Sequence, residues 1–578
     1  MVGAAWTRTR QAALLVAVYA ALTCVMTWPY VSYAHFGSAS YRGDARLVIW
    51  TLAWDNHALL SGTPLFQSNI FHPAADSLRY NEHLFGVSLL TLPWAAAGAS
   101  PVLAYNATWW LAFFLNGLAA FALLQRFVRA PCPAFIGSLA FACSFYVMLH
   151  AHGHLHLILL WPLPVSILLL ERWLDDPRPR RLALWFAVVL LGALTSWYVA
   201  VMVVLVNVVS TAVLLLSGSD RSKREVAVLR GVAGWRPAGA LVGAFVVLGA
   251  CLYPFARHYV GLRSAPGETE AFSASLASYL IPPENTLAGG WWKAHVDARP
   301  GPIWGEQTLF AGWIALATAA VGVAALLRDR SLSRRAWVFP ALAIAGFLLS
   351  LGPSPPLLGG RTLAPFAWMS ALPGFEGMRA PARFAAVAML GISGLSAIGA
   401  AALARTCMPR RPEVLLALVP LMLAEWFVVG FPGGPPVPHP VPGVYRTPEV
   451  RSATAIASLP EYTGLPEWFN GADYLYYSTA HWRPIVNGFG RSEPTDHAAI
   501  VAGLRDFPAR AGELRRIGVQ YVVVHAGRFS DRAATLLAAA RASAGCRLVR
   551  AIDSDYLFEM LETPPGAPSE DAARRRDR

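Results

Sequence analysis

Long apolar segments separated by short basic connections are the feature of this sequence that most constrains its fold. Most of these segments contain about 17–25 residues, which matches the hydrocarbon thickness of a bilayer. The segments are Gln11–Val31, Val102–Phe127, Cys132–Leu149, Leu155–Leu170, Leu182–Leu194, Tyr198–Ser217, Pro237–Tyr259, Thr308–Leu327, Trp337–Leu351, Ala382–Ala404 and Val414–Phe431. They predict an α-helical polytopic membrane protein with about eleven transmembrane helices, of which Leu182–Leu194 and Trp337–Leu351 are short.

The basic residues fall on one side of this predicted membrane. With the N-terminus inside, every inner connection is rich in Arg or Lys, as the positive-inside rule requires. These connections are Arg126–Arg129, Glu171–Arg181, Ser219–Arg236, Arg328–Arg335 and Arg405–Arg411. We therefore expect a multi-pass protein of a bacterial-type inner (plasma) membrane, with its long loops and its C-terminal domain on the periplasmic or extracellular side. The segment Gln11–Val31 is long for a signal peptide and favours an uncleaved anchor.

Composition supports a membrane protein and disfavours nucleic acid as a partner. Hydrophobic residues make up 56% of the chain and charged residues 14%, so it carries more apolar surface than one soluble core needs. The net charge of +13 is spread over short connections and a tail containing Arg574–Arg576. We therefore expect no nucleic-acid binding. The six cysteines include no CxxC pair, so the sequence indicates neither a zinc knuckle nor a disulfide framework.

Breaks in hydropathy and proline content define the predicted domains. The regions are a transmembrane domain at 1–431 with a large first outer loop at 32–100, a proline-rich linker at 432–442, a soluble outer-face α/β domain at 443–565 and a disordered basic tail at 566–578. The end of the first loop, Phe85–Gly98, is apolar but too short for a full span, which predicts an interfacial segment. In the C-terminal domain, strands at Val519–His525 and Tyr556–Met560 flank an Ala-rich helix at Ser530–Ala544.

Asp44 is the leading catalytic candidate. It follows the first apolar segment, with Arg42 and Arg46 on either side and Gly43 permitting close backbone approach. Two nearby guanidinium groups favour the ionised carboxylate, which suits a general base or a cation ligand. The alternative is a helix N-cap, since Asp followed by Ala-Arg-Leu-Val-Ile-Trp fits that position.

Four histidines form the densest ionisable cluster in the chain. They are His150, His152, His154 and His156, at the end of the third apolar segment. On a continuous helix they would form two i, i+4 pairs, a spacing that permits a metal or phosphate site. The alternative is a set of interfacial histidines that line a polar cavity.

Charged residues at the mouths of predicted spans complete the set of candidates. Glu306 precedes one span, and Arg379 and Arg383 precede another. Charges at a bilayer mouth are costly unless they face a wet cavity, and the arginine fork matches a phosphate. Snorkelling to the headgroups is the alternative for the arginines. The candidate substrate-binding residues are Arg42, His72, His152, His154, Glu306, Arg379 and Arg383.

Several short stretches resemble the GT-C superfamily of polyprenyl-phosphate-sugar-dependent glycosyltransferases and uncharacterised bacterial polytopic proteins placed near it. They are Asp44–Trp54, Asn69–Pro73, Gly153–Leu155, Thr195–Tyr198 and Met378–Phe384. The resemblance covers most of the chain through short, degenerate motifs. It implies a GT-C-like fold, an outer-face active site and an acceptor-activating carboxylate at Asp44. The second carboxylate found in several such families is missing, because Asp44 is followed by Ala45.

The resemblance implies transfer of a sugar from a polyprenyl-phosphate donor to a lipid or cell-envelope glycan acceptor. In this mechanism Asp44 acts on the acceptor hydroxyl. Arg379, Arg383 and His154 stabilise the charge of the leaving phosphate. The implied partners are this donor, a lipid or glycan acceptor and membrane lipids, and a divalent cation is a possible cofactor. The sequence leaves open a flippase for a lipid-linked precursor and a non-catalytic envelope scaffold.

Overall fold

The computed structural model describes most of the chain, in two compact units. The described residues are 2–33, 37–38, 43–216, 235–262, 267–296, 305–329, 332, 334–354, 364–372, 375–429, 437–438, 440–462, 467–490, 492–529 and 531–562. Unit 1 consists of Met1–Ala34, Leu84–Leu90 and Asn106–Pro435. Unit 2 consists of His35–His83, Thr91–Tyr105 and Pro436–Arg578.

Apolar α-helices form most of the first unit. The longer ones are Val2–Met26, Phe85–Ala96, Pro101–Val128, Pro131–Ala142, Pro162–Asp175, Pro179–Ala193, Trp197–Leu216, Trp235–Ala256, Leu287–His295, Trp313–Arg328, Val338–Ser350, Ala385–Cys407 and Leu418–Trp426. The shorter ones are Phe145–His150, Leu155–Ile158, Glu268–Ala271, Leu276–Leu280 and Pro365–Ser370. Six helical stretches among the described residues are long and apolar enough to cross a membrane. The polytopic helical fold is confirmed, while the number of eleven spans stays a prediction.

Two of the expected spans are interrupted. The segment expected at Cys132–Leu149 consists of two helices, Pro131–Ala142 and Phe145–His150. The break lies at Cys143 and Ser144, where Ser144 has non-helical backbone angles. The segment expected at Leu155–Leu170 stops at Ile158 and resumes at Pro162. Proline lacks an N–H and clashes with the preceding turn, so it begins a helix more readily than it continues one. His150 and His156 therefore lie on two separate short helices, with His152 and His154 in the connection between them, rather than on one helical face.

The helix Ala385–Cys407 is the packing centre of unit 1. An added Cβ at Gly399 would lie 1.8 Å from the carbonyl oxygen of Thr318, and one at Gly346 would lie 2.3 Å from the backbone nitrogen of Ala388. Small residues let helices in a membrane approach until their backbones touch. This helix is accordingly packed against Pro131–Ala142, Trp313–Arg328 and Val338–Ser350.

Unit 2 combines much of the first loop with the C-terminal region. Its four-stranded sheet contains β1 (Ile456–Leu459), β2 (Tyr521–His525), β3 (Cys546–Ile552) and β4 (Asp555–Met560), in the order β1-β2-β4-β3. The β1 and β2 strands are parallel and the other pairs are antiparallel. The helices are Gly43–Ser61, Pro448–Ser452, Ala472–Ser478, His497–Arg505, Ala511–Arg516 and Ala533–Ala542.

The expected small α/β domain is therefore present, and β1 and β3 are additions to the predicted strands. Its core consists of apolar side chains such as Val522, Val524 and Phe558, each 0% exposed. The helix Gly43–Ser61 packs against Ala472–Ser478. Most of the predicted linker and the whole predicted tail lie outside the described residues, but Val437–Pro438 pairs with Gly37–Ser38 in an antiparallel two-stranded sheet.

Candidate functional site

A buried ionic cluster lies within unit 1, centred on Glu306. The guanidinium of Arg383 donates to both carboxylate oxygens, from Nε at 3.1 and 3.2 Å and from Nη2 to Oε1 at 2.6 Å. His150 Nε2 lies 3.0 Å from Glu306 Oε2. The Arg383 side chain is 7% exposed, that of Glu306 14% and that of His150 1%. Glu306 thus connects residues that are far apart in the sequence.

Short structural segments position these three groups. Arg383 lies in the 3-10 turn Pro381–Phe384, directly before the packed helix Ala385–Cys407. Its guanidinium carbon lies 4.6 Å from the ring centre of Tyr198, a cation–π distance. Glu306 lies in the 3-10 turn Gly305–Gln307. Because Arg383 is held on two sides, its charge is fixed in place.

Glu306 is the hydrogen-bond acceptor of this cluster. The Nδ1 of His150 lies 2.8 Å from the carbonyl oxygen of Tyr146, and its Nε2 faces the Glu306 carboxylate. An ionised carboxylate can only accept hydrogen bonds, so Glu306 accepts from Arg383 and from His150 Nε2.

The electrostatics of Glu306 agree with this assignment. Burial alone raises the pKa of a carboxyl group, but the charges of Arg383 and His150 and their hydrogen bonds hold the pKa of Glu306 well below its ordinary value of 4.5. Glu306 is therefore an ionised hydrogen-bond acceptor at neutral pH. It serves as a fixed counter-ion for Arg383 rather than as a proton donor.

Two buried polar atoms beside the cluster have no hydrogen-bond partner in the described part of the chain. The Tyr146 ring lies 4.3 Å from the ring of His150, and Tyr146 is 0% exposed. Among the described residues, neither the Tyr146 hydroxyl nor His156 Nδ1 has a hydrogen-bond partner. Both residues interact electrostatically with Arg383 and Glu306. A buried polar group without a partner is costly, so these atoms indicate a place for a polar ligand or water.

Of the other predicted residues in unit 1, His154 lies near this cluster and Arg379 forms a separate ion pair. His154 precedes the helix Leu155–Ile158, and its ring lies 5.8 Å from that of His150. Arg379 forms a separate ion pair with Glu268 at 2.5 Å. Arg379 lies before the turn Pro381–Phe384, which contains Arg383.

A pocket of about 320 Å³ is built from the same segments as the cluster. Phe145, Leu149 and His152 line it on one side, and Ile281–Asn285 and Thr308 line it on the other. The Phe145–His150 helix thus contributes to both the pocket and the cluster, and Thr308 follows Glu306 by two positions. His152 Nδ1 donates to the Leu149 carbonyl oxygen at 3.0 Å, which orients its ring at the pocket.

The candidates of the first loop belong to unit 2. Asp44 is the second residue of the helix Gly43–Ser61 and so lies within the first turn rather than at the N-cap, where its charge complements the helix dipole. Gly43 allows the carbonyl oxygen of Phe469 to approach, since an added Cβ would lie 2.4 Å from it. Arg46, which we expected to act on Asp44, forms an ion pair with Asp473. Arg42 lies outside the described residues.

His72 has a structural contact in the same unit. Its Nε2 donates to the carbonyl oxygen of Ile517 at 2.8 Å. This bond ties the first loop to the C-terminal domain within unit 2. Its predicted contact with substrate stays a prediction, as does the predicted role of Asp44.

The continuous helix expected for the four histidines does not form, because one helix ends at His150 and the next begins at Leu155. In the part of the chain that the structure describes, no group of three or more His, Cys, Asp or Glu side chains could hold a metal ion. The metal or phosphate site considered for these histidines stays a prediction.

Sequence patterns gave no reason to select Tyr146 or Glu268 from their neighbours. Tyr146 lies in an apolar stretch and resembles a core aromatic residue. Its position four residues before His150 was the one available signal, because that spacing places two helical side chains on one face.

Comparison with known families identifies the chain. Residues 86–424 match a family described as "Domain of unknown function (DUF6311)". The protein belongs to this family. No curated protein matches the sequence.

Solved structures show which fold this member of the family has. Arabinofuranosyltransferase AftD from Mycobacteria is similar with a TM-score of 0.60 and 15% identity, over 96% of this chain and 40% of that chain. The oligosaccharyltransferase of Archaeoglobus fulgidus in its apo form is similar with a TM-score of 0.50 and 12% identity, over 89% of this chain and 69% of that chain. This chain therefore spans about two fifths of AftD. The GT-C-like fold expected from the sequence is confirmed.

Proposed function

We propose that this protein is a membrane glycosyltransferase that moves a sugar from a polyprenyl-phosphate donor to a lipid or cell-envelope glycan acceptor on the outer face of the membrane. Both similar structures, AftD and the archaeal oligosaccharyltransferase, are named for sugar transfer. Fold alone does not determine an activity, so the chemistry of the site has to support it. The observation that carries the proposal is the buried cluster of Arg383, Glu306 and His150 with the unpartnered hydroxyl of Tyr146.

This cluster suits a phosphate for three reasons. Arg383 carries a permanent positive charge, and its planar guanidinium matches the geometry of a phosphate. The groups of the cluster are buried, so their field is screened less than it would be in water. The Tyr146 hydroxyl is a donor without a protein acceptor among the described residues. A phosphate oxygen would accept from it.

The chemical role of the cluster follows from the reaction. When the bond between the sugar and the phosphate breaks, the departing polyprenyl phosphate gains negative charge. Fixed donors and charges aimed at that oxygen stabilise the transition state without reorganisation. Arg383 provides the fixed positive charge, Glu306 and Tyr198 hold its guanidinium, and Tyr146 donates a hydrogen bond. Asp44 remains our proposed acceptor-activating carboxylate, on the sequence argument alone.

The test is transfer by purified protein in vesicles that contain polyprenyl-phosphate sugars and an envelope-lipid extract. We expect wild-type protein to release free polyprenyl phosphate. We expect Tyr146→Phe to lower turnover about 100-fold, the usual effect of removing one donor from such a site. Since this hydroxyl has no partner among the described residues, the change should leave folding intact. The matched control is Tyr253→Phe, at a tyrosine that is 65% exposed.

Unchanged turnover by Tyr146→Phe would remove this hydroxyl from the mechanism. A flippase gives a different result. It would move the lipid-linked sugar across the bilayer and release no free polyprenyl phosphate from any donor.

A further inference from the structure

Two non-helical stretches lie in the histidine segment, which we define as residues 150–161. The segment begins at the last residue of the helix Phe145–His150, contains the short helix Leu155–Ile158 and ends before the helix Pro162–Asp175. Inside a membrane no water completes the backbone groups that such breaks leave, so side chains of neighbouring helices have to bond them. Two buried side chains of the helix Pro101–Val128 supply such bonds.

Asn116 bonds the second non-helical stretch. In an uninterrupted helix the carbonyl oxygen of Ile158 would accept from the backbone nitrogen of Pro162, which has no N–H. Asn116 Nδ2 donates to this carbonyl oxygen at 2.7 Å. The backbone nitrogen of Leu160 donates to Asn116 Oδ1 at 3.0 Å. Asn116 is 0% exposed, so one buried amide bonds both sides of the break.

Trp109 bonds the first non-helical stretch. Its Nε1 donates to the carbonyl oxygen of Ala151 at 3.0 Å, and Ala151 directly follows the helix Phe145–His150. Trp109 is 1% exposed. Trp109 and Asn116 are seven residues apart, which is close to two helical turns and about 10 Å of helix, so they lie on the same helical face. One helix therefore holds the histidine segment near both of its ends.

The helix that Trp109 holds carries two groups of the ionic cluster. His150 Nε2 lies 3.0 Å from Glu306 Oε2, and the Tyr146 ring lies 4.3 Å from the ring of His150. The position of the Tyr146 hydroxyl therefore depends on where this helix ends. A displacement of about 1 Å in a binding or catalytic site is enough to lower its efficiency about 100-fold.

We propose that Trp109 and Asn116 are positioning residues of the ionic cluster. Trp109 acts through the helix Phe145–His150 and fixes the Tyr146 hydroxyl. Asn116 acts through the short helix that carries His156. The inference rests on the proposed function, because it takes the cluster as the site of the donor phosphate.

The test measures the affinity for decaprenyl phosphate, because this readout does not require turnover. Purified full-length protein in micelles is titrated with this lipid. Trp109→Phe removes the indole N–H and keeps an aromatic ring, and it should weaken binding roughly tenfold. Tyr146→Phe should also weaken binding roughly tenfold, since a hydrogen bond to a charged group is lost.

The double variant distinguishes a positioning role from a purely structural one. If Trp109 acts by placing the Tyr146 hydroxyl, Trp109→Phe should weaken binding by no more than about threefold in protein that already carries Tyr146→Phe. Independent effects would instead combine to about 100-fold. A loss of that size in the double variant overturns the proposal.

Trp185→Phe is the matched control. Trp185 is 1% exposed, and its Nε1 donates to Asn207 Oδ1 at 2.9 Å, between the helices Pro179–Ala193 and Trp197–Leu216. The change removes the same kind of buried hydrogen bond at a place outside the histidine segment. Both variants should lower Tm by a similar amount, and only Trp109→Phe should weaken binding of decaprenyl phosphate. Equal weakening by the two variants contradicts a positioning role.

Asn116→Gln tests the second contact. It keeps the donor and the acceptor of the amide but moves them by one methylene, so we expect binding to weaken roughly tenfold. The control is Asn207→Gln at an asparagine that is also 0% exposed and donates to Ser166 Oγ at 2.9 Å and to the Val203 carbonyl oxygen at 2.7 Å. Wild-type affinity in Asn116→Gln, or an equal loss in Asn207→Gln, removes Asn116 from the proposal.

The outcomes separate this proposal from the proposed function. Unchanged affinity in Tyr146→Phe shows that its hydroxyl does not bind the phosphate, and it overturns both. If the affinities follow the expected pattern but no free polyprenyl phosphate forms in vesicles, the positioning role stands and the transferase proposal falls. If the product forms but Trp109→Phe binds decaprenyl phosphate as wild type does, the positioning role of Trp109 falls and the transferase proposal stands.

Discussion

The ion pair between Glu306 and Arg383 should contribute strongly to stability, and a double-mutant cycle can measure it. Glu306→Gln leaves the Arg383 guanidinium, 7% exposed, without its counter-ion. Breaking a buried pair on one side typically costs about 3–5 kcal/mol. Arg383→Met leaves the carboxylate with His150 alone and also removes the contact with the Tyr198 ring at 4.6 Å, so we expect a loss of similar size.

The double variant should cost much less than the sum of the two single changes. It removes both charges together, and no uncompensated ion of this pair stays buried. The coupling free energy should therefore reach about 2–3 kcal/mol. An exposed pair supplies the comparison: Lys293 and Glu284 lie 3.2 Å apart with side chains 62% and 52% exposed. Their coupling should stay within about 1 kcal/mol.

The assay is reversible denaturation of the purified variants in mixed micelles, with the free energy of unfolding as the measured quantity. Both cycles are run under the same conditions and at neutral pH. If Glu306→Gln and Arg383→Met are additive to within about 0.5 kcal/mol, the two residues act independently. The buried pair would then not be the centre of this cluster.

Four other results are expected. Asp44→Asn should abolish transfer, because an amide cannot act as a general base. The variant should stay folded and membrane-inserted, because the amide keeps the shape of the side chain. Turnover equal to that of wild type would exclude Asp44 as the base. Arg379→Lys should lower turnover more than it lowers donor affinity, since lysine lacks the planar guanidinium that binds a phosphate through two hydrogen bonds. If titration shows that only donor affinity is lost, Arg379 acts in donor recognition alone. The pKa of Glu306 is lower in the folded protein than its ordinary value of 4.5, so the ionised carboxylate stabilises the folded state above pH 4.5. This contribution to the free energy of unfolding should decline as the pH falls below 4.5 and be lost below the pKa of the folded state. The difference in Tm between wild type and Glu306→Gln should therefore shrink in acid. An impermeant thiol reagent should label a single cysteine at Trp368 from outside and not one at Arg178, and labelling of the latter would overturn the predicted topology.

Hydropathy was sufficient to predict most of the helices. The span expected at Val102–Phe127 is the helix Pro101–Val128, and the one expected at Trp337–Leu351 is Val338–Ser350. Apolar length reports on burial in lipid, which is a property of each segment by itself. It was also sufficient for the C-terminal strands Tyr521–His525 and Asp555–Met560. The strands Ile456–Leu459 and Cys546–Ile552 were missed.

The pairing of the charged residues could not be predicted in this way. Glu306 and Arg383 are 77 positions apart, and His150 and Glu306 are 156 apart. No local periodicity connects residues at such separations, because their contact depends on how whole helices pack. The sequence identified Glu306, Arg383 and the histidines as candidates on chemical grounds, but their arrangement around one carboxylate required the fold.

The glycine contacts of the helix Ala385–Cys407 have a consequence for where damaging substitutions should occur. Arg383 directly precedes this helix, whose backbone is in close contact with the neighbouring helices. Gly399 lies roughly 20 Å along the helix from its first turn. A methyl group at Gly399 cannot be absorbed by a side-chain rotation, since the obstacle is the Thr318 carbonyl. The whole helix Ala385–Cys407 has to shift, and the guanidinium of Arg383 moves with it. A random-mutagenesis screen for loss of activity should therefore recover substitutions at this glycine, although it lies roughly 20 Å along the helix from the first turn.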